Sequence, residues 1–199
     1  MGETMRVGVF RDGVFRCVFL NGTVGAGKTS VAQAAAALLA ADGVPHAVVD
    51  LDWLRYAWPA PSGDPFNRDL ELANLAALVT NFRAAGPTVL ILAGVIEGSA
   101  QRQQYELALG CPLMAIRLDA QPATIRDRLR HRHGSLDPAL EWHLHRAGEL
   151  QAILEEANAD DAVISTEGRD VSQVATAVIG LATEHAAETD TSKRSPATK

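Results

Sequence analysis

Short apolar runs alternate with longer segments of helical periodicity along most of this chain. Four to seven mainly apolar residues bounded by Gly, Pro or polar residues are typical of buried strands, and an apolar period near 3.6 residues is typical of helices. The runs that predict strands are 17–20, 46–50, 88–93, 112–118 and 162–166. The segments that predict helices are 31–39, 70–85, 99–109, 121–133, 138–158 and 171–185. This alternation indicates an α/β fold, with a mainly parallel five-stranded sheet and helices on both faces.

The two ends of the chain depart from this alternation. An Arg-Asp-Gly turn at 11–13 separates the apolar runs 5–10 and 14–19, which predicts a hairpin with a short extra strand ahead of the sheet. No internal repeat or second core is visible, so one domain is expected over residues 1–183. Residues 184–199 are rich in Thr, Ser, Ala, Lys and Glu without periodicity, and we expect them to be disordered.

Composition narrows the classes of function. The 199 residues are 47% hydrophobic, which fits a globular domain with a real core. A net charge of −6 argues against nucleic acid or an anionic membrane as the main partner. With no secretory signal and no bilayer-spanning apolar stretch, a cytoplasmic protein is expected. Cys17 and Cys111 lie in or beside apolar runs, so buried thiols are expected rather than a disulfide.

One motif occupies the turn between the first predicted strand and the first predicted helix. It reads Gly-x-x-x-x-Gly-Lys-Thr, the P-loop pattern, in which backbone N–H groups and a helix N-terminus surround phosphate oxygens. Lys28 is expected to contact the β- and γ-phosphates of ATP, and the Thr29 hydroxyl is expected to hold Mg²⁺. The predicted nucleotide-binding residues of the loop are Gly22, Thr23, Val24, Gly25, Ala26, Gly27, Lys28, Thr29 and Ser30.

Two carboxylates, Asp50 and Asp52, end the second predicted strand. Ligands of a parallel sheet bind at the carboxyl ends of its strands, so both should face the P-loop. Phosphoryl transfer needs a carboxylate that orients or deprotonates the acceptor hydroxyl and another that orders water on Mg²⁺. Strand alternation would place both side chains on one side, with Asp50 nearer the P-loop and Mg²⁺. The alternative is that one of them caps the next helix.

The acceptor side of the predicted site is less well defined. The third predicted strand ends without the Asp that many P-loop ATPases place there. Glu97 is a carboxylate in this region, but it comes only after the strand has ended. Glu97 and Arg102 would bind the acceptor, or would form a solvated salt bridge instead. Trp53, Tyr56 and Trp58 would line the acceptor side with aromatic rings, or would belong to the core.

A run of arginines suggests a lid. Arg126, Arg128, Arg130 and Arg132 share one predicted helix, and Arg146 lies on the next. A lid that carries Arg132 and Arg146 would neutralise charge in the transition state, whereas the alternative is an exposed basic helix face. Four histidines nearby suggest a metal site by spacing alone, but no Cys or carboxylate completes a ligand set.

Together these residues resemble the P-loop kinases of small molecules, the nucleoside and nucleotide kinase superfamily, over most of the chain. Residues 49–55 look like the Asp-Gly-Asp-Asn-x-x-Arg region of adenylylsulfate kinases and the acceptor-side segment of chloramphenicol phosphotransferase. This resemblance implies that Asp52 contacts the acceptor hydroxyl and that Arg55 and Asn74 lie in the acceptor site. Trp53 stands where the adenylylsulfate kinase pattern has Asn. An acceptor side lined by Trp53, Tyr56 and Trp58 would suit a less charged acceptor such as a sugar, nucleoside or antibiotic.

The nucleotide side carries two further resemblances. Residues 127–132 are similar to the lid entry of adenylate kinases, which implies that Arg128 packs on adenine and that Arg132 contacts phosphates. Residues 165–171 look like the loop that borders adenine in these kinases, which implies a contact from Gly168.

The sequence therefore predicts an ATP-dependent phosphotransferase that acts on a hydroxyl of a small molecule. One alternative is a P-loop regulator or chaperone-type NTPase with a protein partner, against which the pair Asp50 and Asp52 argues. Another is a nucleotide-binding protein without catalysis, against which the intact Lys28, Thr29 and Arg132 argue. The oligomeric state is left open, with a homodimer as one alternative.

Overall fold

The computed structural model describes residues 10–133 and 137–194, with side chains described as far as residue 189. Its centre is one parallel sheet with the strand order β2-β3-β1-β4-β5. The strands are β1 (Arg16–Asn21), β2 (His46–Asp50), β3 (Val89–Ala93), β4 (Leu113–Asp119) and β5 (Ala162–Ser165). The helices are α1 (Lys28–Ala41), α2 (Leu51–Leu54), α3 (Arg68–Ala85), α4 (Ser99–Leu109), α5 (Pro122–His133), α6 (Ala139–Ala157) and α7 (Val171–Arg194).

Alternate residues of β1 face opposite sides of the sheet, and each side has its own apolar cluster. Val18 and Leu20 pack in a cluster that also includes residues of α1 and α7, whereas Cys17 and Phe19 pack in a second cluster with residues of α3 and α4. The two-residue period of a strand explains this division. Helices therefore cover both faces, and the predicted α/β fold is confirmed. Among the described helices, none is both long enough and apolar enough to cross a membrane.

The strand order sets the position of the P-loop. β1 lies in the middle of the sheet, so the loop that follows it emerges at the centre of the carboxyl-terminal edge. Gly22 begins this loop with φ of 140°, and a Cβ there would lie 2.6 Å from the carbonyl oxygen of Leu118. Only glycine fits that approach without a shift of the backbone. Asp50 lies beside Ala93 in the β2–β3 register and ends on the same edge.

The hairpin predicted ahead of the sheet is not found at Phe10. This residue is buried in a short 3₁₀ turn rather than in a strand, and residues 5–9 lie outside the described residues. The Asp12–Gly13 turn is present, because the N–H of Val14 donates to Asp12 Oδ1 at 2.9 Å. β1 begins only at Arg16, whose guanidinium pairs with Asp12.

The predicted disorder from residue 184 is wrong for residues 184–194. α7 continues through them to Arg194, and Ala186 is 3% exposed within the apolar cluster that α1 and α7 share. Val178, Ala182 and Ala186 continue one buried face at four-residue spacing, which the polar residues between them obscured. Residues 195–199 lie outside the described residues.

Candidate active site

Asn21 fixes the entry to the P-loop. It is fully buried at the end of β1, and its Nδ2 donates to the carbonyl of Ile96 at 3.1 Å and to Asp160 Oδ1 at 2.7 Å. Its Oδ1 accepts from the N–H groups of Gly22 and Ile96, each at 2.9 Å. These bonds tie the loop to the segment after β3. The sequence analysis missed Asn21, although a single polar residue at the end of an apolar run was a usable signal.

Lys28 begins α1 and folds back over the P-loop. Its Nζ donates to the carbonyls of Gly22 at 2.8 Å and Thr23 at 3.0 Å. Burial lowers the pKa of Lys28 to about 8, and the charges of Asp52 and Asp50 offset this effect only in part. A cation whose burial is costly and whose partners are neutral carbonyls is well placed to bind phosphate oxygens.

Thr29 and Asp50, the two residues predicted to hold magnesium, are in direct contact. Thr29 Oγ1 donates to Asp50 Oδ2 at 2.7 Å, so a hydroxyl and a carboxylate oxygen lie side by side. Asp50 Oδ1 accepts from the N–H of Asp52 at 3.1 Å, so Asp50 also caps α2, as the alternative interpretation required. Mg²⁺ prefers oxygen ligands and takes few of them from protein, so this donor set fits it.

Asp52 reaches the cleft by a different route from the one predicted. β2 ends at Asp50, and the helical turn of α2 rather than strand alternation carries Asp52 to the cleft. Its carboxylate is 70% exposed and pairs with Nη2 of Arg55. A solvated carboxylate beside one guanidinium remains available to accept a hydrogen bond from a hydroxyl.

A buried carboxylate, Glu71 on α3, lies behind Arg55. Glu71 Oε1 accepts from the Tyr105 hydroxyl at 2.5 Å, and Glu71 Oε2 lies 3.6 Å from Nη1 of Arg55. Arg68 Nη1 lies 3.7 Å from Glu71 Oε1. Burial raises the pKa of Glu71, while the tyrosine hydrogen bond and the two arginines oppose the shift. Sequence reasoning had no signal for this network, because a helical glutamate usually faces water.

Arg146 and Arg132 approach the cleft from α6 and α5. Arg146 Nη2 donates to Glu97 Oε1 at 2.5 Å, and its guanidinium lies 5.5 Å from the centre of the Phe66 ring. The salt bridge named as one alternative for Glu97 is therefore present, with Arg146 in place of Arg102. Arg132 lines the same cleft and makes no hydrogen bond or ion pair with the residues that the structure describes. The link between α5 and α6, residues 134–136, lies outside them.

Arg128 joins the P-loop to the loop after β5. Its Nη1 donates to Thr166 Oγ1 at 3.0 Å and to the carbonyl of Ala26 at 3.5 Å. This position borders the P-loop, as the predicted nucleotide contact requires. Gly168 follows Thr166 with φ of 64° but is not among the residues that line the cleft, so its contact with adenine stays a prediction.

Two residues predicted for acceptor binding lie outside the cleft. Arg102 pairs with Asp161 at 2.8 Å and with Glu106 at 3.3 Å, while Asn74 donates to the carbonyl of Leu54 at 2.7 Å. The structure therefore does not bring either side chain to the cleft, and each already donates hydrogen bonds within the fold.

The three aromatic residues after Asp52 are not part of the core. Trp53, Tyr56 and Trp58 are 75%, 85% and 93% exposed. Of the three, only Tyr56 lines the cleft. The cleft wall therefore includes Tyr56 but neither tryptophan, and the contact of Tyr56 with an acceptor stays a prediction.

One cleft of about 1090 Å³ is lined by Lys28, Thr29, Asp50 and Asp52, and also by Arg128, Arg132 and Arg146. Sites for single small ligands usually measure about 300–1000 Å³, so the cleft has room for a nucleotide and a second molecule. The P-loop and Arg128 line one end. Several further residues of the wall escaped sequence analysis because they belong to no motif, among them Phe66, Arg68, Gln101 and Trp142.

The fold and the P-loop define a nucleotide-binding protein of the P-loop class. A family model described as an AAA domain matches residues 18–138, and the chain belongs to this family. No curated protein sequence matches the chain.

Solved structures narrow the fold within that class. A shikimate kinase from Acinetobacter baumannii in complex with shikimate is 17% identical, covers 89% of this chain and 98% of its own, and has a TM-score of 0.59. A tunicamycin resistance protein from Deinococcus radiodurans is 23% identical, with a TM-score of 0.58, and the match covers 84% of this chain and 95% of that protein. An APS kinase from Mycobacterium tuberculosis in complex with AMPPNP and APS is 22% identical, with a TM-score of 0.53, and the match covers 85% of this chain and 98% of that kinase. The chain has the fold of P-loop small-molecule kinases.

Proposed function

We propose that the protein is an ATP-dependent kinase that transfers the γ-phosphate to a hydroxyl of a small molecule. The observation that carries this proposal is one cleft in which Lys28 and the Thr29–Asp50 pair lie at the P-loop and the solvated carboxylate of Asp52 lies beyond them. A phosphate donor and a hydroxyl acceptor need these groups within reach of each other.

Each residue has a defined task in this mechanism. Lys28 leaves its carbonyl partners and binds the β- and γ-phosphates as a point charge. Thr29 and Asp50 would hold Mg²⁺, which would neutralise charge on the phosphate oxygens. Asp52 accepts the proton of the acceptor hydroxyl or orients that hydroxyl for attack. Arg132, without a partner among the described residues, is free to neutralise the charge that develops on the transferred group.

The charges at the acceptor end favour an acceptor without a phosphate or carboxylate group. Apart from Arg128 and Arg132, which we assign to the nucleotide, each arginine in the described part of the cleft wall already has a carboxylate partner. The pairs are Arg55 with Asp52, Arg68 with Glu71, and Arg146 with Glu97. Tyr56, Phe66 and Trp142 add apolar surface. We therefore expect a hydroxyl compound that is uncharged and in part apolar.

A screen of acceptors for ADP release tests the proposal. Purified protein with ATP and Mg²⁺ is offered sugars, nucleosides and hydroxyl-bearing antibiotics, and Lys28→Ala serves as the control for contaminating kinases. The proposal expects ADP formation that depends on one class of acceptor and is lost in Lys28→Ala. ADP formation that ignores every small molecule and responds to an added protein would support the regulator instead.

A further inference from the structure

Two thiols lie close together at the end of the sheet opposite the cleft. Cys17 is the second residue of β1, and Cys111 lies in the bend just before β4. Their sulfur atoms are 3.5 Å apart, and neither takes part in a disulfide. Cys17 is 3% exposed, whereas Cys111 is half-buried. The pair therefore combines one accessible sulfur with one protected sulfur.

A cavity of about 180 Å³ lies beside the thiol pair. Its wall is mostly apolar, and it includes the two cysteines together with Arg16 and residues of α7 such as His185. A single water needs roughly 10–15 Å³ of such volume, so a molecule the size of hydrogen peroxide fits.

The surroundings of the pair make the two sulfurs chemically different. Arg83 is held beside Cys111 because its Nη2 donates to the carbonyl of Leu109 at 3.0 Å and its guanidinium lies 4.1 Å from the Phe15 ring centre. A hydrogen bond from Cys17 and the charge of Arg83 lower the pKa of Cys111 to about 7, although burial opposes the shift. The same hydrogen bond and burial raise the pKa of Cys17. Of the two sulfurs, Cys111 is therefore the one that more readily forms the reactive thiolate.

We propose that Cys111 and Cys17 are a peroxide-reactive pair that closes to an intramolecular disulfide. The Cys111 thiolate attacks one oxygen of hydrogen peroxide, so that an S–O bond forms, the O–O bond breaks and hydroxide leaves. The Cys17 sulfur then attacks the sulfenic acid, the S–O bond breaks, and the thiol proton and hydroxyl leave as water. The two sulfurs are oxidised, and the peroxide is reduced to water.

The geometry allows this closure with a small movement. A disulfide bond is about 2.0 Å long, so the sulfur atoms must approach by roughly 1.5 Å. Cys111 lies in a bend outside the strand ladder, so it can move without breaking β4. The chemistry of the two thiols does not depend on the kinase activity proposed above.

Treatment of the purified full-length protein with equimolar hydrogen peroxide tests the pair. The chain has two cysteines, so a thiol count under denaturing conditions reports on the whole molecule. We expect the count to fall from two to none, with a monomeric chain, a loss of two hydrogen masses, and recovery of both thiols with dithiothreitol. Added oxygen mass on a cysteine-containing peptide of the wild-type chain, disulfide-linked dimers, or two thiols left after treatment would each overturn the proposal.

Two variants assign the roles of the sulfurs. In Cys17→Ser, Cys111 should form a sulfenic acid that dimedone traps. In Cys111→Ser, Cys17 should react with peroxide at least about tenfold more slowly than the wild-type chain, because it lacks thiolate character. Faster reaction of Cys17 than of Cys111 would contradict the assignment, and the wild-type mass measurement stands even if a variant folds poorly.

Discussion

Lys28 carries a prediction about pH. The pKa of Lys28 is lowered to about 8, so the free protein loses this cation above that pH, whereas bound phosphates favour the charged form. Affinity for a non-hydrolysable ATP analogue should therefore be constant below about pH 7 and should fall roughly tenfold per pH unit above about pH 8. Calorimetric titrations across this range measure it. Lys28→Arg, which stays charged, is the control and should lose the slope; a flat profile for the wild type would contradict the assignment.

The substitutions Asp52→Asn and Asp50→Asn should affect two different kinetic properties, the rate of turnover and its dependence on Mg²⁺. Asp52 is solvated and faces the acceptor end, so Asp52→Asn should lower kcat by about 10²–10⁴-fold, as for the loss of a positioned base. Asp50 bonds to Thr29, so Asp50→Asn should instead raise the Mg²⁺ concentration needed for half-maximal turnover. Magnesium titrations of turnover separate the two. A Mg²⁺ shift in Asp52→Asn with a rate collapse in Asp50→Asn would reverse the roles.

Single residues show where sequence reasoning reaches its limit. Lys28, Thr29 and Asp50 were predictable because a motif or a strand end fixes their position. Arg102 and Asn74 were not, since the sequence gives a residue type and an element but not the partner that occupies the side chain. Partners at long sequence separation, such as Asp161 for Arg102, become visible only once the helices are packed.

At the scale of elements, α5 presents a matched set of arginines. Arg132 lines the cleft and Arg128 borders the P-loop, whereas Arg130 is 59% exposed and pairs only with Asp127 among the described residues. Arg132→Ala should lower kcat at least about tenfold with little change in ATP-analogue affinity, because its contact strengthens as charge develops. Arg128→Ala should mainly raise the KM for ATP.

Arg130→Ala is the control on the same helix and should leave both kinetic constants within about twofold of the wild type, as expected for an exposed ion pair. Steady-state kinetics on the three variants give the answer. Equal losses in Arg130→Ala and Arg132→Ala would show that α5 acts only as a basic surface.

The end of α7 carries a prediction about stability. Ala186 is buried beyond the point where the sequence predicted disorder. Ala186→Asp should cost at least about 2 kcal/mol for the buried carboxylate and lower the Tm by roughly 4–8 °C. Glu188→Asp introduces the same residue at an exposed position of the same helix and should change the Tm by less than about 2 °C. Thermal melts followed by circular dichroism compare them, and equal melts would show that this end of α7 does not pack.

Elements differ in how far the sequence determines them. The strands of the sheet were predictable because each is a short apolar run between breakers, and both faces of the sheet are covered. α2 was missed because a four-residue helix has too few positions to show a period. The last turns of α7 were missed because alanine contributes little hydrophobic contrast, although it favours helix.

At the scale of the whole molecule, the sheet separates two chemistries. The carboxyl ends of its strands hold the P-loop and Asp50, and the amino ends of β1 and β4 hold the thiol pair. β1 connects them, because Cys17 is its second residue and Asn21 ends it beside the P-loop. The first region was predictable from a motif, whereas the thiol pair depends on the neighbouring positions of β1 and β4 in the sheet, which alternation alone does not give.

The most direct test of kinase activity is to follow the γ-phosphate itself. ATP labelled in that group is incubated with the wild-type protein, Mg²⁺ and the acceptor found by the screen, and the products are separated. Label should appear in a phosphate monoester of the acceptor. Asp52→Asn should form this product about 10²–10⁴-fold more slowly while binding the ATP analogue within about twofold of the wild type. Label that appears only as inorganic phosphate, at the same rate with and without acceptor and in both proteins, would contradict the account.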